Sequence, residues 1–386
     1  MKKYLPYGRQ SITNKDISSV KKILKSDFLT TGPTIKLFEK SLSKFCRSKF
    51  AVAVNSATSA LHIACLSLGI KKGDIVWTSP ISFVASANCA IYCGAKIDFI
   101  DIDINSFNIS IENLKKKLII AKKKNKLPKV IIPVHLAGYS CEMKEIYLLS
   151  KKYGFKIIED ASHGIGGIYN KKRIGSCYYS DIAIFSFHPV KIITSGEGGV
   201  AMTNNKKLME KMKSLREHGI NKNFDTNKKP WYYQQQELGF NYRMSDIHAS
   251  LGLSQLKKIN KFIKKRNLIS KYYKSKLKNL PIAFQESKKN IYSTFHLFII
   301  LVPKLLHLDI FKFLRKNKIL VNLHYIPIFL HPFYSKSNLF KIKNYPNSIN
   351  YYNRAISLPI FFDLKKNDQD KVINLIQKYF KKKLKN

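Results

Sequence analysis

The stretch D-I-A-I-F-S-F-H-P-V-K-I-I-T-S-G-E-G-G-V, Asp181 to Val200, decides the reading of the fold. Its apolar run, Ile182 to Phe187, has the length of a short buried strand. Beyond it stand a single basic residue, Lys191, and a glycine-rich turn at Gly196, Gly198 and Gly199. An ammonium is costly to desolvate. A lone lysine between buried residues is therefore either a snorkelling surface residue or one held neutral for chemistry. Desolvation lowers a lysine pKa, and a neutral amine forms Schiff bases.

Upstream, I-I-E-D-A-S-H-G-I-G-G, Ile157 to Gly167, reads as another buried strand with Asp160 at its C-terminal end. His163 follows three residues on, before a glycine-rich turn. Open α/β sheets bind ligands at the carboxyl ends of their strands. An aspartate there and a lysine at a nearby strand end are what pyridoxal phosphate requires. The carboxylate keeps the pyridine nitrogen protonated, and the lysine carries the cofactor as an aldimine. Taken singly, Asp160 also reads as a strand-end cap and His163 as a hydrogen-bonded loop histidine.

Working outward, Phe50 to Asn55 is a short buried strand that delivers Ser56-Ala57-Thr58-Ser59 onto a helix from Ala60 to Leu68. A small-residue turn entering a helix is an anion site, because free N–H groups and the positive dipole end face the ligand. With Lys191 and Asp160, the turn Ala57, Thr58 and Ser59 becomes a cradle for the cofactor phosphate. Ile75 to Ser79, Lys96 to Asp101 and Val130 to His135 read as further strands. Phe83 sits in the turn before a helix from Ala85 to Cys93. Strands separated by helical patterns indicate βαβ units and a mostly parallel sheet. Asp101 and Asp103 read as strand-end and loop carboxylates. Helical periodicity is expected from Ile12 to Leu24, Thr34 to Cys46, Leu208 to Arg216, about Met244 to Leu277, Asp309 to Lys318 and Asp368 to Phe380. Ser293 to Val302 and Ile319 to Tyr325 read as strands.

Five ordered motifs carry a resemblance: N-S-A-T-S-A-L (55–61), T-S-P-I-S-F-V-A-S-A-N (78–88), E-D-A-S-H-G (159–164), F-S-F-H-P-V-K (185–191) and L-G-F-N-Y-R-M-S-D-I (238–247). In this order the chain resembles the DegT/StrS family of sugar-nucleotide aminotransferases, from about Leu5 to the last helix. The start L-P-Y-G-R-Q (5–10) and V-N-L-H-Y-I-P (321–327) look like the branch serving pseudaminic acid biosynthesis. The resemblance implies an α/β, aspartate-aminotransferase-like (fold type I) transferase. It implies a mostly parallel central sheet with helices on both faces and a smaller C-terminal α+β domain. The expected division is 1–255 for the large domain and 256–386 for the small one, with a bridging helix over about 244–277.

The resemblance also assigns roles. Lys191 and Asp160 are the expected catalytic pair with pyridoxal 5'-phosphate. Phe83 stacks on the pyridine face, and His163 contacts the phenolic oxygen. Ala57, Thr58, Ser59 and Ser186 hold the phosphate, joined by Asn241 from the other subunit of a homodimer with shared sites. Tyr7, Asp27, Phe28, Leu29, Thr30, Asn322, Leu323, His324 and Tyr325 are expected at the sugar nucleotide, with Ala57, Ser186 and Asn241. Many relatives have glycine where this chain has Ala57, and a small residue still permits close backbone approach. The implied reaction moves an amino group from glutamate to C4 of a UDP-linked 4-keto-6-deoxy-N-acetylhexosamine. The alternative is another nucleotide-linked 4-keto-6-deoxy sugar of the perosamine or bacillosamine type. A family dehydratase would have histidine at the position of Lys191.

Composition bounds these readings. A chain of 386 residues with 45% hydrophobic content buries a large core and suggests two domains. It carries 69 Lys+Arg against 24 Asp+Glu, a formal charge of +45. Such a field attracts nucleic acid, membranes or anionic substrates. Here the lysines are spread over nearly every helix, with no basic stripe interleaved with aromatics. A compositional bias is the better reading, with no nucleic-acid or membrane partner, while an anionic nucleotide sugar would be steered inward. No apolar run approaches the roughly 18 residues that span a bilayer, and the N-terminus has no signal-peptide core, so a cytoplasmic protein is expected. The six cysteines, scattered without paired spacing, read as free thiols with no metal site.

Overall fold

The computed structural model describes residues 4–221, 229–336 and 340–383. Seven strands form the central sheet: β1 (Phe50–Val54), β2 (Ile75–Thr78), β3 (Lys96–Phe99), β4 (Val130–Ile132), β5 (Lys156–Asp160), β6 (Ile182–Ser186) and β7 (Gly199–Thr203). Their order is β1-β7-β6-β5-β4-β2-β3. From β6 to β3 all pairs are parallel, and β7 runs antiparallel to both its neighbours. The sheet is therefore mostly parallel and mixed with helices, as the βαβ reading requires.

Alternation along the strands sorts side chains onto two faces. Ala183 and Phe185 of β6 join Ala53, Val200 and Met202 on one face, under Phe38 and Leu42 of the helix Pro33–Cys46 and Phe262. Ile182 and Ile184 join Val52, Ile158 and Ala201 on the other, under the helices Ala57–Ser67 and Ala85–Tyr92. Both faces are covered, which is why β6 contains no polar residue before Ser186.

A second, antiparallel sheet is built from Ala283–Phe284, Phe298–Leu301 and Ala355–Leu358. The helices Ile259–Leu277, His307–Lys316 and Lys366–Lys383 supply its core, including Tyr273, Leu314, Val372 and Phe380. Leu5–Pro6 pairs with Ile319–Leu320, so the first residues lie beside this second layer. That pairing brings Tyr7 to the central sheet's edge. Asp101, just after β3, ties the two parts together: it accepts from Asn347 N, Ser348 N and Ser348 Oγ at 3.0, 2.9 and 2.5 Å. It thereby caps the helix Pro346–Tyr352. Asp103 accepts from Asn105 N and Ser106 N, as a loop carboxylate does.

Three expectations need correction. The strand expected from Ile319 to Tyr325 is only Ile319–Leu320, beyond which Asn322 makes a single bridge to Ser357. The helical pattern from Met244 to Leu277 is not one helix but two, Asp246–Leu256 and Ile259–Leu277. At the break the backbone tightens to i−3 bonds, Lys258 N to Gln255 O and Lys261 N to Lys258 O. There the Lys258 ammonium reaches the fully buried Asp16 carboxylate, which a continuous helix pattern does not reveal. The expected strand Ser293 to Val302 begins only at Phe298, because residues 293–296 turn away and Phe295 adopts a positive φ of 47°. All six cysteines are free, and Cys93 alone is half-buried. Among the described residues no helix is long and apolar enough to cross a membrane.

Candidate active site

The carboxyl ends of β5 and β6 and the start of the antiparallel β7 share one edge of the sheet. Register fixes this: Gly199 pairs with Ser186 on one side and Val54 on the other, and Asp160 pairs with Ile184. A cavity of about 420 Å³ opens there, within the usual range for small-molecule sites. Its lining brings together Tyr7, Ala57, Thr58, Phe83, Asp160, His163, Ser186, Lys191, Asn322, Leu323, His324 and Tyr325. These residues are spread from Tyr7 to Tyr325, and the sequence motifs with the resemblance they carry point to each of them.

The helix Ala57–Ser67 points its N-terminus into this space. Ser56 caps it, accepting from Ser59 N at 3.1 Å. The N–H groups of Ala57 and Thr58, in the first turn, have no partner within the helix. Ser59 does not line the cavity. Its hydroxyl donates to Asn55 Oδ1 at 2.6 Å, so it braces the turn rather than facing a ligand. Gly199 is required by the same turn: a Cβ there would lie 2.4 Å from Ala57 N.

Asp160 is 5% exposed. Its Oδ1 accepts from Ser162 N at 3.1 Å and its Oδ2 from Ser86 Oγ at 2.5 Å, while Ser82 Oγ lies 2.7 Å from Ser86 Oγ. The sequence reading missed both serines. Their only signal was position, one residue before Phe83 and three after it, at the start of the helix Ala85–Tyr92. Lys191 keeps part of its surface open to the cavity and lies in the turn after β6, its N–H bonded to His188 O. Burial pushes its ammonium down to about 8, with the Asp160 charge working the other way. The two groups therefore sense each other across the cavity, and the lysine is poised to give up its proton near neutrality.

His163 Nδ1 accepts from Ala137 N at 3.3 Å, and its Nε2 lies 3.1 Å from Tyr325 Oη. Burial and the nearby Lys191 charge hold the ring well below the ordinary histidine range, so it is neutral. His324 Nδ1 contacts Ser357 Oγ at 2.8 Å, and burial drops its pKa to about 3. Tyr7 packs its ring 4.8 Å from that of His324.

Asp27, Phe28, Leu29, Thr30 and Asn241 are exposed and do not line this cavity. Leu29 O accepts from Asp246 N, and Thr30 bridges to Ser245. Asn241 stands beside the cradle, its carbonyl accepting from Asn55 Nδ2 at 3.5 Å. The structure thus separates these five residues from the twelve at the cavity.

Residues 10–377 match the profile of the DegT/DnrJ/EryC1/StrS aminotransferase family, and the chain belongs to that family. Among its relatives is the UDP-4-amino-4,6-dideoxy-N-acetyl-beta-L-altrosamine transaminase of Campylobacter jejuni subsp. jejuni serotype O:2. The two are 38% identical over 385 residues, covering 97% of this chain and 98% of that one. The structure is similar to Helicobacter pylori PseC, an aminotransferase involved in the biosynthesis of pseudoaminic acid, with a TM-score of 0.91 and 32% identity. That match covers 98% of this chain and 100% of the other. Spr1654 from Streptococcus pneumoniae, solved in PLP and PMP forms, matches with TM-scores of 0.89 and 0.90 at 27% identity, over 98% of this chain and 99% of that one.

Enzymes of this family depend on pyridoxal 5'-phosphate, and the residues present fit it. The cavity offers a helix N-terminus with open N–H groups, a fixed carboxylate, one amine of depressed pKa and a half-exposed Phe83 ring. Those four features match the phosphate, the pyridine nitrogen, the aldehyde and the ring face in turn.

Proposed function

We propose that this sugar aminotransferase moves the amino group of glutamate to C4 of UDP-2-acetamido-2,6-dideoxy-β-L-arabino-hex-4-ulose, in pseudaminic acid biosynthesis. The observation that carries the chemistry is the convergence of Lys191 and Asp160 on one cavity beside the Ala57–Thr58 turn. The substrate is supported by the 38% identity to the Campylobacter transaminase and by the likeness to the Helicobacter enzyme.

Each residue's part follows from its surroundings. Pyridoxal phosphate, when bound, supplies the electron sink that makes a C–H bond next to nitrogen acidic. Asp160, held by Ser86 and the Ser162 N–H, provides a fixed negative charge for a protonated ring nitrogen. Thr58, Ser186 and the open N–H groups of the helix would hold the phosphate. Lys191, its pKa lowered to about 8, would anchor the cofactor and, once released, would move a proton at the donor's α-carbon. In the second half-reaction the same amine returns a proton to C4 of the sugar. Tyr7, Asn322, Leu323 and His324 line the same cavity and would contact the sugar nucleotide.

The working unit in this reading is a cytoplasmic homodimer. Asn241 and the 27–30 loop lie outside this chain's own cavity, and Phe28, Leu29 and Leu238 are exposed at 54, 46 and 79%. A second copy would cover them and bring Asn241 to the neighbouring phosphate. The test offers UDP-linked 4-keto epimers separately with glutamate and identifies products by NMR. Amination of the L-arabino epimer supports the reading. Preference for a different nucleotide or epimer favours the perosamine- or bacillosamine-type alternative.

A further inference from the structure

Away from the cavity, the packed helices Ala57–Ser67 and Ala85–Tyr92 gather three thiols that amino transfer does not use. Cys65 and Cys89 are fully buried, and Cys93, which caps the second helix, is half-buried. The Cys65 thiol hydrogen-bonds to Cys89 and to Cys93. His62, one turn before Cys65, hydrogen-bonds to Cys93 as well. Its Nδ1 lies 3.1 Å from Tyr242 Oη, which leaves Nε2 for the sulfur. The groups facing Cys93 are therefore His62 and Cys65 across the helix interface, Cys89 and Tyr92 on its own helix, and Tyr242 from a third segment. None of them is a carboxylate.

This setting separates the thiols chemically. Hydrogen bonds to its two neighbours raise Cys65 well above the usual thiol range, so it keeps its proton. Hydrogen bonding from Cys65 lowers Cys93 to about 6, burial opposes this, and His62 adds a second bond and its charge. As a thiol, Cys93 Sγ donates to Cys89 O at 3.2 Å, and ionisation exchanges that bond for those from Cys65 and His62. A thiolate that solvent reaches, beside a protonated thiol, is the arrangement that oxidants attack. Among the described residues no group of His, Cys, Asp or Glu side chains is disposed to hold a metal ion.

We propose that Cys93 and Cys65 form a peroxide-reactive pair, with Cys93 as the attacking sulfur and Cys65 as the resolving one. The Cys93 thiolate attacks one oxygen of hydrogen peroxide. The O–O bond breaks, hydroxide leaves and takes up a proton, and Cys93 becomes a sulfenic acid. The Cys65 sulfur then attacks the Cys93 sulfur, its proton leaves with the departing oxygen, and water is released. In sum, two thiols and one peroxide give one disulfide and two waters. Cys89 is the poorer partner, because residues four apart on a helix hold their Cβ atoms about 5–6 Å apart, beyond the roughly 4.5 Å that a disulfide spans. The new bond joins the far ends of two helices whose first turns carry the Ala57–Thr58 cradle and Ser86, and it consumes no residue of the cavity.

The full-length protein, treated with increasing hydrogen peroxide, is mapped by mass spectrometry without reduction. A linked Cys65–Cys93 peptide that dithiothreitol removes is expected, with Cys46, Cys141 and Cys177 unmodified. A link to Cys89, sulfinic acid on Cys93 without any link, or earlier oxidation of the other three thiols would overturn the pairing. Cys65→Ser should leave Cys93 as a sulfenic acid that dimedone traps, and Cys93→Ser should slow thiol loss by about tenfold or more. The wild-type protein gives a check that no packing defect disturbs. Alkylation of Cys93 by iodoacetamide should rise with pH through a midpoint at about 6. A midpoint at the ordinary thiol value of about 8.5 would contradict the proposal.

Discussion

Ser86 Oγ stands 2.5 Å from Asp160 Oδ2, so a hydroxyl from the helix after β2 fixes a carboxylate at the end of β5. Asp160 is a buried anion whose two oxygens are both satisfied, which keeps its charge in one place. Asp160→Asn keeps the shape and removes the charge. It should lower kcat for amino transfer by about a hundredfold or more, the scale seen when one preorganised electrostatic contact is lost. Ser86→Ala should cost roughly tenfold, in line with one hydrogen bond to a charged group. Steady-state kinetics on the two variants check the ranking.

Lys191 gives a pH signature. Its folded pKa is about 8 against an ordinary 10.5, because burial opposes the charge. Reconstitution needs the free amine, so the rate at which cofactor-free protein acquires its visible band should rise with pH and level off above a midpoint near 8. The stability effect has a definite sign. Between the two pKa values the unfolded lysine is protonated and the folded one is not, so the unfolded state binds more protons and stability from this group rises with pH. Lys191→Met should abolish that slope in the cofactor-free protein and add on the order of 1–3 kcal/mol at pH 7, after allowance for solvent in the cavity. Urea melts at pH 7 and pH 9.5 measure both effects.

Gly199 is fixed by a close approach. A methyl group there would meet Ala57 N and the Ser56 carbonyl at 2.4 Å, and all of these are backbone atoms. Gly199→Ala should destabilise the fold by about 1–3 kcal/mol and displace the phosphate cradle. Thermal melts and cofactor occupancy should fall together, whereas loss of stability with full occupancy would uncouple Gly199 from the cradle.

Asn241 tests the shared site. In the proposed dimer, Lys191→Ala would remove the anchor and Asn241→Ala a phosphate contact to the other copy. If sites are shared, mixing the two impaired proteins regenerates one intact site in each mixed dimer. Half of the dimers are mixed, so activity should recover to about a quarter of wild type. Absence of recovery under exchange conditions would place Asn241 in its own chain's site.

Much of this was legible in the chain, for physical reasons. Apolar runs such as Ile182 to Phe187 are strands because both faces of the sheet are covered, and residues at their ends face the ligand edge. That marks Asp160 and Lys191 without reference to other proteins, whereas Ser186 takes its role from the resemblance. The missed features depend on contacts between distant segments. Ser86 meets Asp160 across 74 residues, and Tyr325 meets His163 across 162. The helix break at Lys258 answers to the buried Asp16, 242 residues away, and nothing in Lys257-Lys258-Ile259 marks a turn. Ser59 has the residue type of a cofactor donor, because caps and anion sites use the same residues. Only the bond to Asn55 separates the two roles.

The measurement closest to the central claim is chemical trapping. Protein reconstituted with pyridoxal phosphate is reduced with borohydride, digested and mapped by mass spectrometry. The pyridoxyl mass should appear on Lys191 alone, although the chain offers 69 Lys+Arg side chains. Label on any other lysine, or none on Lys191, would contradict the account.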